Sequence, residues 1–117
     1  MKEDSIKFTL SKKERLHKKL EIEYLFSKGR KHTSFPISII YCKSLSKEDT
    51  KVIFLASKRT FPKAHQRNKA KRVLREVYRL NKHKIPENIF IGVSILNKKF
   101  SYPLIEDSFQ KAIQNIS

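Results

Sequence analysis

Residues 67–96 read RNKAKRVLREVYRLNKHKIPENIFIGVSIL, a basic helical pattern followed by a strand that is apolar on both faces. At about 100° per residue, with Asn68 at zero, Lys71, Arg72, Arg75, Arg79 and Lys82 fall within about 60° of it. Ala70, Val73, Leu74, Val77 and Asn81 fall on the opposite side, so one helix face packs while the other presents cations. In the strand, Asn88 to Leu96, Ile89, Ile91, Val93 and Ile95 stand against Phe90 and Leu96 on the other face. A strand with no polar face is covered on both sides of its sheet.

Upstream, Phe35 to Lys43 and Lys51 to Ser57 are rich in Ile, Val, Phe and Tyr and predict two more strands. The polar segment Ser44 to Thr50 between them reads as a hairpin loop. Leu16, Leu20, Ile22, Leu25 and Phe26 recur at helical spacing, with Gly29 after Lys28 as a C-cap, and Ser11-Lys12-Lys13-Glu14 has the form of a capping box. Residues 1–10 read as an extended arm. Beyond the last strand, Pro103, Glu106 and Asp107 with Leu104, Ile105, Phe109, Ala112, Ile113 and Ile116 predict a final amphipathic helix. The order helix, strands, helix, strand, helix gives an α+β fold: a two-layer α/β sandwich, a mixed β-sheet with helices packed on it. At 117 residues, with no repeat and no Pro/Gly/Ser linker, residues 1–117 read as one domain.

Charge narrows the function. The chain carries 27 Lys and Arg against 11 Asp and Glu, a net charge of +16. Residues 58–84 hold eleven of those cations against Glu76 alone. A merely solvated helix face mixes signs to gain i,i+4 pairs, and this one does not. Its bias towards Arg suits the planar, bidentate recognition of phosphate. Nucleic acid is the leading partner, ahead of an anionic membrane surface. At 38% hydrophobic residues the chain is too apolar for a disordered tail. Cys42 is the only cysteine, which excludes an internal disulfide and a Cys-based zinc site. The first residues lack the apolar segment of a signal peptide, and the longest apolar-rich run, Ile89 to Leu96, is under half a membrane span, so a soluble, cytoplasmic chain is expected.

Nothing in the pattern supports catalysis by the chain itself. The acids are scattered, whereas a two-metal nuclease needs several carboxylates converging on one site. His17, His32, His65 and His83 show no metal-ligand spacing and no acid close by in sequence. Phe26, Phe35, Tyr41, Phe54, Phe90 and Phe109 read most simply as core, and Cys42 as a small buried apolar residue.

The run Arg67-Asn68-Lys69-Ala70-Lys71-Arg72-Val73-Leu74-Arg75-Glu76 resembles the Arg-Asn-Arg signature helix of the bacterial ribonuclease P protein component. Ser57-Lys58-Arg59 at the end of the second strand, Arg15-Leu16 before the first helix, and Phe26-Ser27-Lys28-Gly29 also look like that family, and the similarity covers nearly the whole chain. The sequence departs from the family pattern at Lys69, where Arg is usual, and at Ile22, where an aromatic is common. The stretch Thr60 to Ala64 lacks the usual glycine and is one residue longer.

The resemblance implies the protein subunit of a ribonucleoprotein that removes 5′ leaders from precursor tRNAs. Its RNA subunit would carry out catalysis, with Mg2+ held mainly by that RNA and the substrate. Arg67, Asn68, Lys69, Lys71, Arg72, Arg75 and Arg79 would bind the RNA subunit. Ile22, Phe26, Tyr41 and Lys58 would line a cleft for the leader between the first helix and the sheet. The partners implied are the RNA subunit and precursor tRNA, with neither DNA nor membrane, and the crossover around the basic helix would be left-handed. A small ribosomal or other rRNA-associated protein with no processing role would share this size and charge. A DNA-binding helix reading a major groove fits less well, because base-reading faces mix Asn, Gln and Ser with Arg.

Overall fold

The strand that is apolar on both faces becomes an inner strand of the sheet. Ile89–Ile95 (β4) lies between Ile37–Lys43 (β2), to which it is antiparallel, and Lys51–Leu55 (β3), to which it is parallel. Arg30–Ser34 (β1) adds to the far side of β2, and the mixed sheet runs β1-β2-β4-β3. The computed structural model describes residues 12–45 and 49–116, so the expected N-terminal arm lies outside them. Every residue of β4 except Ser94 is buried.

Ser44 to Thr50 therefore does not close a hairpin. Instead the chain passes the start of β4: the Ser44 N–H donates to the Asn88 carbonyl (2.8 Å) and the Thr50 hydroxyl to that of Pro86 (2.8 Å). A strand with two apolar faces gains most from an inner position, and β4 takes the place beside β2 that a hairpin would have given β3. Asn88, read from sequence as the first strand residue, sits at φ 62° and belongs to the turn. Asn tolerates that left-handed backbone better than most residues. The strand missed by sequence, β1, is Arg-Lys-His-Thr-Ser, with no apolar residue to set a period. It is an edge strand protected by its charges, joined to β2 through Phe35-Pro36, whose peptide is cis.

Among the described residues three helices cover the sheet: Lys19–Lys28 (α1), Ala64–Asn81 (α2) and Tyr102–Ile113 (α3). The main core joins one sheet face, through Ile37, Ile39, Ile91, Val93 and Ile95, to Leu74 and Val77 of α2 and Ile105 and Phe109 of α3. A second, smaller cluster of Leu16, Leu25, Ile40 and Phe90 lies under α1 on the other face, so both sides of β4 are covered. Two expected core aromatics are not core, since Phe35 is 65% and Phe26 48% exposed.

Helix α1 starts later than its apolar spacing suggests. Leu16 is buried but lies before the helix, its N–H donating to the Val52 carbonyl (2.8 Å), while Lys12–Glu14 form a 3-10 turn. Ser11, the first residue of the expected capping box, lies outside the described residues. Gly29 ends α1, its N–H donating to the Leu25 carbonyl (2.7 Å), at an ordinary φ of −73°. Close approach is what requires glycine there, for a Cβ would lie 2.5 Å from Ile40 Cγ1. Glu21 of α1 is 5% exposed and pairs with Lys51 Nζ (3.2 Å), fixing α1 on the start of β3.

Candidate nucleic-acid interface

Helix α2 divides as its periodicity requires. Ala70, Leu74, Val77, Tyr78 and Asn81 are buried on the sheet side. Asn81 satisfies its amide there by donating to the Val77 carbonyl (2.8 Å) and accepting from the Gln110 amide (2.9 Å). On the opposite side Asn68, Lys69, Arg72 and Arg75 are exposed. None of these three cations is in an ion pair among the described residues. The rest of the basic set is partly engaged. Arg79 is paired with Glu76, a bond that raises its pKa, and Lys82 reaches Glu14 (2.8 Å).

Arg67 has a second occupation that its position in sequence did not disclose. Half-buried, it donates through one guanidinium nitrogen to the carbonyls of Phe61 (2.9 Å) and Pro62 (3.0 Å). It thereby holds the turn that leads from β3 into α2. In that turn Ser57 Oγ accepts the Thr60 N–H (3.1 Å), Phe61 is buried, and Lys58 and Arg59 stand exposed at the tip.

The other expected surface flanks α1. Ile22 and Phe26 lie one helical turn apart; Ile22 is half-buried on the minor cluster and Phe26 projects. The sheet face below them is fixed by register: Ile40 opposes Lys31 and Gly92, while Ser38 opposes Thr33 and Ser94. Tyr41 does not belong to this set. It shares the face of Ile37 and Ile39, packs against the main core on the α2 and α3 side, and donates its hydroxyl to the Asn115 carbonyl (3.1 Å). Strand side chains change face at every residue, so one step along β2 moves a side chain from the α1 side to the α3 side. Ser38, Thr33, Ser94 and Ile53 are the polar and apolar floor that sequence reasoning missed. The alternation of Ile37, Ser38 and Ile39 was the signal that could have found Ser38.

On the other flank of α1 a cavity of about 390 Å³ is lined by Tyr24, Lys28, Arg30, Tyr41, Cys42 and Lys43, among others. Its three cations give this end of the sheet a positive rim. Burial raises the Cys42 thiol above its usual pKa, which disfavours a thiolate nucleophile there.

Five of the described carboxylates have partners of their own, although Glu14 also borders one cavity with Asp49 and Glu87. Glu14 bonds Lys82, Glu21 bonds Lys51, Glu76 bonds Arg79 and Asp107 bonds Lys111, while Glu106 accepts from Asn81 (3.4 Å). Among the described residues no group of three His, Cys, Asp or Glu is placed to hold a metal ion. No described helix is long and apolar enough to cross a membrane. The arrangement leaves an exposed basic face on α2 and, across the sheet, an exposed aromatic on α1.

A family model described as Ribonuclease P matches residues 10–117. Among curated proteins, the chain is similar to ribonuclease P protein components of Porphyromonas gingivalis and Petrotoga mobilis. The first is 38% identical over 80 residues, 65% of this chain, and the match spans only 57% of that relative's length. The second is 32% identical over 114 residues, 92% of this chain and 95% of the relative. Among solved structures, the RNase P protein from Thermotoga maritima superposes with a TM-score of 0.77 at 23% identity, over 89% of this chain and 98% of that one. The RNase P protein of Staphylococcus aureus follows at 0.75 and 21%, over 86% and 93%. At these identities the structural likeness speaks for the fold.

Proposed function

This chain belongs to the ribonuclease P protein family, and on that footing we propose that it is the RNA-binding subunit of a tRNA 5′-processing ribonucleoprotein. The basic face of α2, with Arg72 and Arg75 at its exposed centre, binds the backbone of a catalytic RNA subunit. The face under α1, with Ile22 and Phe26 at its edge, takes the single-stranded 5′ leader of a precursor tRNA, and Lys58 adds charge from the turn after β3. Mg2+ would be held by the RNA subunit and the substrate and would supply the activated water for phosphodiester cleavage. The protein contributes position and charge: it brings together two polyanions that repel one another.

The observation that carries this reading is the separation of the surfaces. The exposed arginines of α2 and the exposed aromatic of α1 lie on helices packed against opposite faces of the sheet, so one chain can hold two RNAs at once. The test is a pair of variants in the reconstituted particle. Arg72→Ala with Arg75→Ala is expected to weaken binding of the RNA subunit. Phe26→Ala is expected to weaken precursor tRNA binding by about five- to hundredfold, the loss of one stacked base, with mature tRNA unaffected. If Phe26→Ala weakens precursor and mature tRNA equally, the leader surface is wrongly placed.

A further inference from the structure

Lys98 and Lys99 lie in the loop between β4 and α3 and had no place in the sequence reading. With His65 and Lys69 of α2 and the aromatic pair Phe61 and Phe100, they line a cavity of about 450 Å³. Phe61 is buried and meets Phe100 edge to face at 6.2 Å between centroids, which gives the cavity an ordered apolar wall. Lys69, Lys98 and Lys99 are exposed, and none is in an ion pair among the described residues. No acidic residue lines the cavity.

Among the described residues Lys51, Lys82 and Lys111 each reach a carboxylate and Arg79 pairs with Glu76, whereas Lys69, Lys98 and Lys99 do not. Here three ammonium groups border one concavity without a carboxylate, which gives it a positive potential that favours an anion from outside. Lys69 sits about 100° round α2 from Asn68, off the central row of cations and towards this cavity. The cavity is thus continuous with the basic face of α2 and lies with α2 and α3, away from Phe26.

We infer that the cavity is a second phosphodiester-binding patch, which carries the contact with the RNA subunit from α2 onto the β4–α3 loop. Lys69, Lys98 and Lys99 hold backbone phosphates of that RNA. The inference rests on the proposed function and adds two residues, Lys98 and Lys99, to the interface.

The test is binding of the full chain to a ribonuclease P RNA across a salt series, for the wild type, Lys98→Ala with Lys99→Ala, and Lys98→Arg with Lys99→Arg. Loss of two phosphate contacts should reduce the slope of log K against log salt by about 1.4–1.8 in magnitude. The affinity lost between about 50 and 200 mM salt then shrinks by about tenfold. The arginine variant keeps the charge and should keep the wild-type slope. A steep wild-type slope that the alanine variant leaves unaltered overturns the patch while the proposed function stands. So does an arginine variant that behaves like the alanine one. A nearly flat wild-type slope overturns both. Circular dichroism confirms that each variant is folded.

Discussion

At Gly29 the constraint is space. A methyl group there would press on Ile40 Cγ1 and on the Leu25 carbonyl, each 2.5 Å away. The backbone carbonyl cannot turn aside, so Gly29→Ala is expected to lower stability by about 1–3 kcal/mol in urea unfolding, the usual range for overpacking. An unchanged midpoint would show that α1 can lift from β2. Tyr78 constrains the pH range. Burial, and secondarily the Glu14 carboxylate, raises its pKa above the ordinary phenol value. The unfolded chain ionises this group near pH 10 and the folded chain does not. Its contribution is complete below about pH 10 and is lost as pH rises beyond that. Tyr78→Phe keeps the edge-to-face contacts with Phe54 (5.7 Å) and Phe109 (6.4 Å). It should flatten the alkaline fall in stability, by at most about 1.4 kcal/mol per pH unit, and Tyr102, raised by its own burial, keeps a smaller slope. Equal alkaline slopes for the two proteins would contradict this.

At the scale of the element, α2 combines two jobs. Among the described residues Arg72 and Arg75 are in no ion pair, whereas Arg67 holds the Phe61 and Pro62 carbonyls. Arg72→Ala and Arg75→Ala should each leave stability within about 0.5 kcal/mol of the wild type. Arg67→Ala should cost about 1–2 kcal/mol, a charge-assisted bond discounted for its partial exposure. Thermal unfolding of the three variants separates the roles, and equal midpoints would show that the Arg67 bonds contribute nothing. The cationic row of α2 was legible because a helix repeats in 3.6 residues and its two faces differ in chemistry. The role of Arg67 was not, since its acceptors are backbone atoms of a turn that exists only in the fold. The family resemblance alone assigns Tyr41 to the cleft; read from the residues it is core, and its place two and four residues from Ile39 and Ile37 puts it on the α2 and α3 side. The strand β1 has no apolar residue at all, and only its pairing with β2 makes it a strand.

At the scale of the whole molecule, the central place of β4 decides what the two surfaces can do. It keeps α1 on one face and α2 with α3 on the other. The apolar content of residues 89–95 announced that burial. The rejection of a β2–β3 hairpin in favour of parallel pairing depended on competition among strands, which local spacing does not record. The net charge of +16 sets a further expectation. Self-repulsion burdens the free chain, so added salt should raise its thermal midpoint while weakening its hold on RNA. A midpoint that falls with salt would mean that the scattered ion pairs outweigh the repulsion. On the proposed function, this chain lends charge and position to a reaction performed by RNA. That role is tested most directly by a magnesium titration of precursor-tRNA cleavage, with the protein alone, a ribonuclease P RNA alone, and the two together. No specific cleavage is expected from the protein alone, and the pair should need clearly less magnesium than the RNA. Removal of the 5′ leader by the protein without RNA, or an unchanged magnesium requirement with both present, would contradict that role.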